Sequence, residues 1–195
     1  MVDANPPAAS RPPATDARTR ILDAVEVIVQ ARGVAALTLD AAAREAGVSK
    51  GGLLYHFGSK EALLVGLLAR LATCIETEFH EDLARQPPGR GRTTRAMLAR
   101  TFDHPETVSE LHQRAAAIFL AAFHHDPALL DPIREVFARI REKLSEDGLR
   151  PGHALAVMAA CDGFFMSRIF GMYELDGEEQ RAFRTALTSL LESGT

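Results

Sequence analysis

Several hydrogen-bond donors lie close together between residues 38 and 60 of this chain. Thr38 and Lys60 are expected at or near the N-termini of helices, where backbone N–H groups already favour an anion. Tyr55 offers a phenolic donor and His56 an imidazole donor. Together these groups have the chemistry needed to hold phosphate oxygens.

Two short helices joined by a tight turn would carry these side chains. The first is predicted over residues 39–46, with Thr38 as its cap and Asp40 in its first turn. Gly47 closes that helix, because glycine adopts a positive φ without a Cβ penalty. Ser49 then caps the second helix.

Small and apolar residues at fixed spacing would hold the two helices together. Ala43 lies four positions before Gly47, on the face that must meet the second helix, and its methyl group permits close approach. We expect Val48, Leu53 and Phe57 to fill the joint. This pattern is typical of a helix-turn-helix, whose second helix enters the DNA major groove.

A longer string sharpens this interpretation. The run SKGGLLYHF at 49–57, followed by Ser59-Lys60-Glu61 and the apolar pair Leu63-Leu64, resembles the TetR family of bacterial transcriptional regulators. The resemblance is specific over about residues 16–68. It implies a recognition helix within this run, and beyond residue 68 it depends on length and helical character alone.

The resemblance also implies roles for individual DNA-binding residues. In family members, the residues at the positions of Thr38, Tyr55, His56 and Lys60 commonly bind phosphates. The residues at the positions of Lys50 and Gly51 lie near base edges. The predicted set is Thr38, Ser49, Lys50, Gly51, Leu54, Tyr55, His56 and Lys60. Packing is the alternative for Tyr55 and His56, and a solvated side chain is the alternative for Lys50.

Two features of the recognition helix depart from the family pattern. Leu54 stands where many members carry an aromatic or polar contact residue, so its contact would be apolar, with a thymine methyl. Gly51 and Gly52 are poor helix formers, each costing about 1 kcal/mol relative to Ala. We therefore expect backbone fit and DNA shape to contribute strongly to specificity.

Composition is that of an ordinary soluble globular protein, with 47% apolar and 25% charged residues. The net charge is -4, and residues 1–61 carry seven Lys plus Arg against seven Asp plus Glu. DNA binding would then depend on local placement of Arg44, Lys50 and Lys60. The start lacks a secretory signal, which favours the cytoplasm, and Cys74 and Cys161 are interpreted as buried thiols over a disulfide or redox switch.

Hydrophobic periodicity predicts an all-α protein of about nine helices. Residues 1–15 form an Ala/Pro-rich arm expected to be disordered, residues 16–61 a three-helix DNA-binding domain, and residues 62–195 an effector-binding and dimerisation domain. After the first three helices, the predicted helices cover residues 59–85, 93–103, 108–125, 155–173 and 178–192. One further helix is predicted between 108–125 and 155–173, beginning after Asp126-Pro127 and ended by Gly148.

The resemblance implies a small-molecule pocket and a homodimer built through the last two helices. The pocket candidates are Phe102, Phe119, Phe123, Met158, Asp162, Phe165 and Arg168. Plain core packing is the alternative for each of them. Asp162 and Arg168 are charges within an apolar helix, which argues against a membrane span. His112, His124 and His125 lack partners at ligand spacing, so no metal or cofactor is expected.

The leading hypothesis is a dimeric transcriptional repressor, released from a palindromic double-stranded operator by an unknown small molecule. A DNA-binding structural or cell-division factor on the same scaffold is the alternative, and a filled second domain would distinguish it. An enzyme using Cys161 or Asp162 with His153 is not favoured, because no nucleophile elbow, phosphate loop or metal motif is present.

Overall fold

The computed structural model describes residues 16–103 and 126–193 of the chain. Those residues form eight α-helices, two short 3-10 helices and no strand. The α-helices are α1 (Ala17–Arg32), α2 (Leu39–Glu45), α3 (Lys50–His56), α4 (Lys60–Arg85), α5 (Arg92–Phe102), α6 (Asp131–Ser145), α7 (Pro151–Phe170) and α8 (Gly177–Glu192). The 3-10 helices are Val34–Ala36 and Pro127–Leu130. The all-α prediction is confirmed.

Most predicted helix boundaries agree with the structure to within one or two residues. Two helices are exceptions: the helix predicted to end at Gly148 ends at Ser145, and the helix predicted over 155–173, α7, begins at Pro151 and ends at Phe170. Proline at the first position starts it earlier, and Gly171, with φ +58°, ends it sooner. The arm at 1–15 and the helix predicted over 108–125 lie outside the described residues.

Helices α1 to α3 enclose a small core that the start of α4 completes. Ile21, Val25, Leu37 and Leu53 are fully buried, and Phe57 is nearly so. The prediction that Phe57 belongs to the core is therefore confirmed. Burying each such side chain contributes roughly 1.5 to 3 kcal/mol.

The 26-residue helix α4 connects this unit to the rest of the chain. Its first turns pack against α1, and the Arg70 guanidinium binds the carboxylates of Asp23 and Glu26 and the Leu22 carbonyl on α1. Gly66 lies where α4 passes closest to Leu22 and Phe57. The orientation of the N-terminal unit thus follows that of α4.

The remaining helices pack around the later turns of α4. The start of α5 is fixed by Asp147, a buried residue after α6, whose carboxylate accepts hydrogen bonds from the Thr93 N–H, the Thr94 N–H and the Thr94 hydroxyl at 2.7–2.8 Å. The Asp147 carbonyl also accepts from the Gly91 N–H at 2.7 Å. One residue thereby joins the α6–α7 connection to the first turn of α5.

Helix α7 is apolar on most of its surface. Its stretch Gly152–Phe170 is long and apolar enough to cross a membrane by length and composition, a criterion that core helices of soluble proteins also meet. One face, with Ala154, Val157, Cys161 and Phe164, is buried. The opposite face exposes the apolar side chains of Leu155, Met166 and Phe170.

Candidate DNA-binding site

Hydroxyl side chains cap the N-termini of α2, α3 and α4. Thr38 Oγ1 accepts from the Ala41 N–H and Ser49 Oγ from the Gly52 N–H, both at 3.0 Å. Ser59 caps α4 in the same way, through the Ala62 N–H at 3.1 Å. Each hydroxyl uses a lone pair in its cap and keeps its own proton free to donate. The caps at Thr38 and Ser49 lie in exposed surface.

The turn between α2 and α3 has the predicted geometry. Gly47 has φ +64°, and the Val48 N–H donates to the Ala43 carbonyl at 3.0 Å. Ala43 and Leu53 are buried between the two helices. This packing presents the opposite face of α3 to solvent.

Three predicted contact residues, Gly51, Leu54 and Tyr55, lie on that solvent face of α3, and His56 lies at its edge. Tyr55 is 85% exposed and Leu54 43% exposed, so both side chains are accessible to a binding partner. Gly51 is also exposed and leaves open space around its backbone. His56 is half-buried, and its ring lies edge-on to Tyr55 with 5.0 Å between ring centroids.

The two lysines of the site have different surroundings. Lys50 is the first residue of α3, and its Nζ lies 3.0 Å from Oδ1 of Asp40 on α2. Lys60 is the first residue of α4, and its Nζ donates to the Val34 carbonyl at 2.7 Å. The Lys60 side chain therefore also ties α4 to the segment after α1.

A capped two-helix unit with a buried joint and an exposed second helix defines a protein of the helix-turn-helix class. Comparisons with known proteins agree. A family model described as "Bacterial regulatory proteins, tetR family" matches residues 21–67. A second, described as "Tetracyclin repressor-like, C-terminal domain", matches residues 91–192. The chain belongs to the TetR family, whose members are transcriptional regulators and not enzymes.

Comparison with an individual relative shows how much of the chain the sequence similarity covers. The HTH-type transcriptional regulator SrpR of Pseudomonas putida is 40% identical over 70 residues, which cover 36% of this chain and 33% of SrpR. The match therefore spans only about a third of that relative's length.

Solved structures resemble this chain over nearly its whole length. A TetR-family member from Streptomyces coelicolor, SCO1917, aligns over 90% of this chain and 98% of its own, with a TM-score of 0.68 and 24% identity. The multidrug binding protein EbrR, solved in complex with malachite green, aligns over 90% and 98%, with a TM-score of 0.60 and 26% identity.

The predicted effector residues fall into separate groups. Phe102 contacts Phe164 and Phe183, and the three ring centroids lie 5.8 Å apart in each pair. Arg168 lies over the ring of Phe164, 5.9 Å from its centroid. Met158 and Phe165 are half-buried and pack against the core. Phe119 and Phe123 lie outside the described residues.

An open cleft of about 510 Å³ lies between α5 and α8. It is lined mainly by polar and charged side chains, among them Arg90, Arg95 and Arg184. Of the predicted effector residues that the structure describes, Phe102, Met158, Asp162, Phe165 and Arg168, none lines this cleft.

Asp162 is a half-buried carboxylate on α7. Burial raises its pKa from the ordinary value of 3.8 to about 6. Between pH 4 and 6 the native state therefore keeps a proton that the unfolded state releases, so stability falls as pH rises through this window. We expect Asp162→Asn to stabilise the protein by about 2 kcal/mol at pH 7.5, a figure reduced for partial exposure.

The measurement is urea unfolding of both proteins at pH 4 and at pH 7.5. The difference between the two free energies of unfolding should shrink to about a quarter of its pH 7.5 value at pH 4, where the carboxyl is protonated in the native state and partly protonated in the unfolded state. An equal gain at both values of pH would show that charge is not the cause.

Sequence reasoning missed several residues that fix how the helices pack. Arg70, Gly66 and Asp147 belong to no recognisable motif, because their partners are far away in the sequence.

Of the two cysteines, Cys161 is buried, and that burial raises the pKa of its thiol to about 11. Cys74 is only half-buried, so the prediction of two buried thiols is wrong for Cys74. Its position on α4 leaves one side open to solvent.

Proposed function

We propose that this chain is a homodimeric repressor that binds a palindromic operator through α3 and releases it when a small molecule binds the second domain. The observation that carries the proposal is the exposed, donor-rich face of α3 with Tyr55 and Lys50. The DNA-binding unit corresponds to residues 16–61 and the effector and dimerisation domain to residues 62–195. A cytoplasmic location follows from this role.

DNA contacts divide into two kinds in this proposal. Thr38, Tyr55, His56 and Lys60 bind phosphates and fix the position of the duplex. Ser49, Lys50, Gly51 and Leu54 face base edges. Because Leu54 is apolar and Gly51 has no side chain, Lys50 carries most of the hydrogen-bonded readout, with guanine O6 and N7 as its acceptors.

Dimerisation is proposed through α7 and α8. The exposed apolar side chains of Leu155, Met166 and Phe170 support this, because a monomer rarely leaves such a surface in water. A two-fold dimer places two α3 helices in successive major grooves, and its symmetry calls for a palindromic operator.

The effector site is proposed among the residues near Phe102, Met158, Asp162, Phe165 and Arg168. EbrR, a structural relative, was solved with malachite green. A ligand that favours the conformation with wrongly spaced α3 helices lowers operator affinity by that difference in binding energy. The Arg70 contacts between α4 and α1 would carry the movement of α4 to the DNA-binding unit.

The test begins with selection of bound duplexes from a random library by the purified protein. Fluorescence anisotropy then compares the selected duplex with a scrambled one over a salt series. We expect the selected duplex to bind at least about 10³-fold more tightly. Equal binding to both would overturn the repressor proposal, whereas discrimination without any response to a panel of amphipathic ligands would favour the structural factor.

Tyr55→Phe tests the phosphate role. Removing the phenolic hydroxyl should weaken binding to both duplexes by about fivefold, because a phosphate hydrogen bond carries no sequence information. Anisotropy on both duplexes measures this. Tyr173→Phe, at a 52% exposed tyrosine after α7, is the matched control and should leave affinity unchanged. A loss confined to the selected duplex would assign Tyr55 to base readout instead.

A further inference from the structure

Lys50 is held by a residue of the neighbouring helix. Asp40 lies in the first turn of α2 and Lys50 begins α3, and their charged atoms are 3.0 Å apart. The side chains are 61% exposed for Lys50 and 68% for Asp40. The pair therefore lies on the surface shared by α2 and α3, on the side that carries the Thr38 and Ser49 caps.

Both members of this pair affect how the surface meets DNA. A lysine ammonium on a flexible four-carbon stem is attracted by any nearby phosphate, whatever the sequence. An ammonium has three donors. One is directed to Asp40, and two remain, the number needed for O6 and N7 of a guanine.

The carboxylate also opposes non-specific binding. An exposed negative charge beside Lys50 offsets the lysine charge that phosphates would otherwise attract. The affinity lost to this carboxylate is small for a duplex in which Lys50 reaches a base, because the ion pair with Asp40 need not break there. The affinity lost is larger for a duplex in which Lys50 must leave Asp40 to reach the DNA backbone.

We propose that Asp40 is a specificity-determining residue, which positions the Lys50 ammonium toward base edges and lowers affinity for non-operator DNA. The inference rests on the proposed function and concerns a residue outside the predicted contact set. Asp40 acts through Lys50 and is a positioning residue.

Asp40→Asn in the full-length protein tests the inference with the selected and scrambled duplexes. We expect affinity for the scrambled duplex to rise about threefold and affinity for the selected duplex to fall about threefold, a loss of about tenfold in discrimination. The freed lysine should also steepen the salt slope for the scrambled duplex by about 0.9, the value for one more neutralised phosphate. Asp40→Glu keeps the charge and should retain most of the discrimination.

A double-mutant cycle with Lys50→Gln separates positioning from general repulsion. In the Lys50→Gln background, Asp40→Asn should leave the ratio of the two affinities unchanged. Glu45→Gln is the matched control, because it removes another acid from α2, one that lies 4.0 Å from Arg32 and not beside Lys50. It should leave the discrimination at the wild-type value.

Three outcomes would overturn the inference. They are an equal rise in affinity for both duplexes, a parallel fall for both, and a loss of discrimination caused by Asp40→Asn that persists without Lys50. Wild-type protein that does not discriminate between the duplexes would overturn the proposed function itself, and the inference with it. Discrimination by the wild type that Asp40→Asn leaves intact would remove only the inference.

Discussion

Asp147→Ala should lower the free energy of unfolding by about 3 kcal/mol, equivalent to a fall of about 10 °C in the melting temperature. The substitution removes the acceptor of three hydrogen bonds and leaves the Thr93 and Thr94 N–H groups buried without it. Thr94 is fully buried, so water cannot replace the carboxylate there.

Thermal and urea unfolding at one fixed protein concentration measure this effect, since the stability of the proposed dimer would depend on concentration. Asp176→Ala is the matched control. Asp176 also caps a helix, accepting from the Glu178 and Glu179 N–H groups at the start of α8, but this cap is exposed. Its loss should cost only about 1 kcal/mol.

Equal losses for the two aspartates would contradict the role assigned to burial. Asp147→Asn distinguishes charge from shape, because an amide keeps one acceptor oxygen of the carboxylate. We expect that variant to fall between the wild type and Asp147→Ala.

Gly66→Val should destabilise the protein by about 3 kcal/mol and weaken DNA binding by about tenfold. A Cβ at position 66 would lie 2.7 Å from Cε1 of Phe57 and 3.2 Å from Cδ2 of Leu22. Phe57 is buried and directly follows α3, so we expect a displacement of its ring to shift α3 or α4 as well. The clash therefore alters the position of the recognition helix.

Urea unfolding and anisotropy on the selected duplex measure the two effects. Gly58→Ala is the control, because a Cβ there meets nothing within 4 Å and its φ is not left-handed. Phe57→Leu in the Gly66→Val background should restore part of both losses, since the smaller side chain relieves the contact. Absence of any rescue would locate the strain elsewhere.

The confirmed predictions are the local ones. Apolar spacing predicted the helices, Thr38, Ser49 and Ser59 predicted three helix starts, and Gly47 predicted the turn that makes the helix-turn-helix. These features depend on interactions between residues three or four positions apart, which the sequence displays directly. The TetR-like string then identified the family.

The sequence by itself determined the helical class, the helix-turn-helix and the family. Only the tertiary structure decided which distant residues meet, such as Asp147 with Thr94, Arg70 with Glu26 and Asp40 with Lys50. Each of these contacts joins residues ten or more positions apart on different elements. Residue type and hydrophobic periodicity do not reveal such pairings, because the packing angles between helices and the paths of the loops determine which distant residues meet.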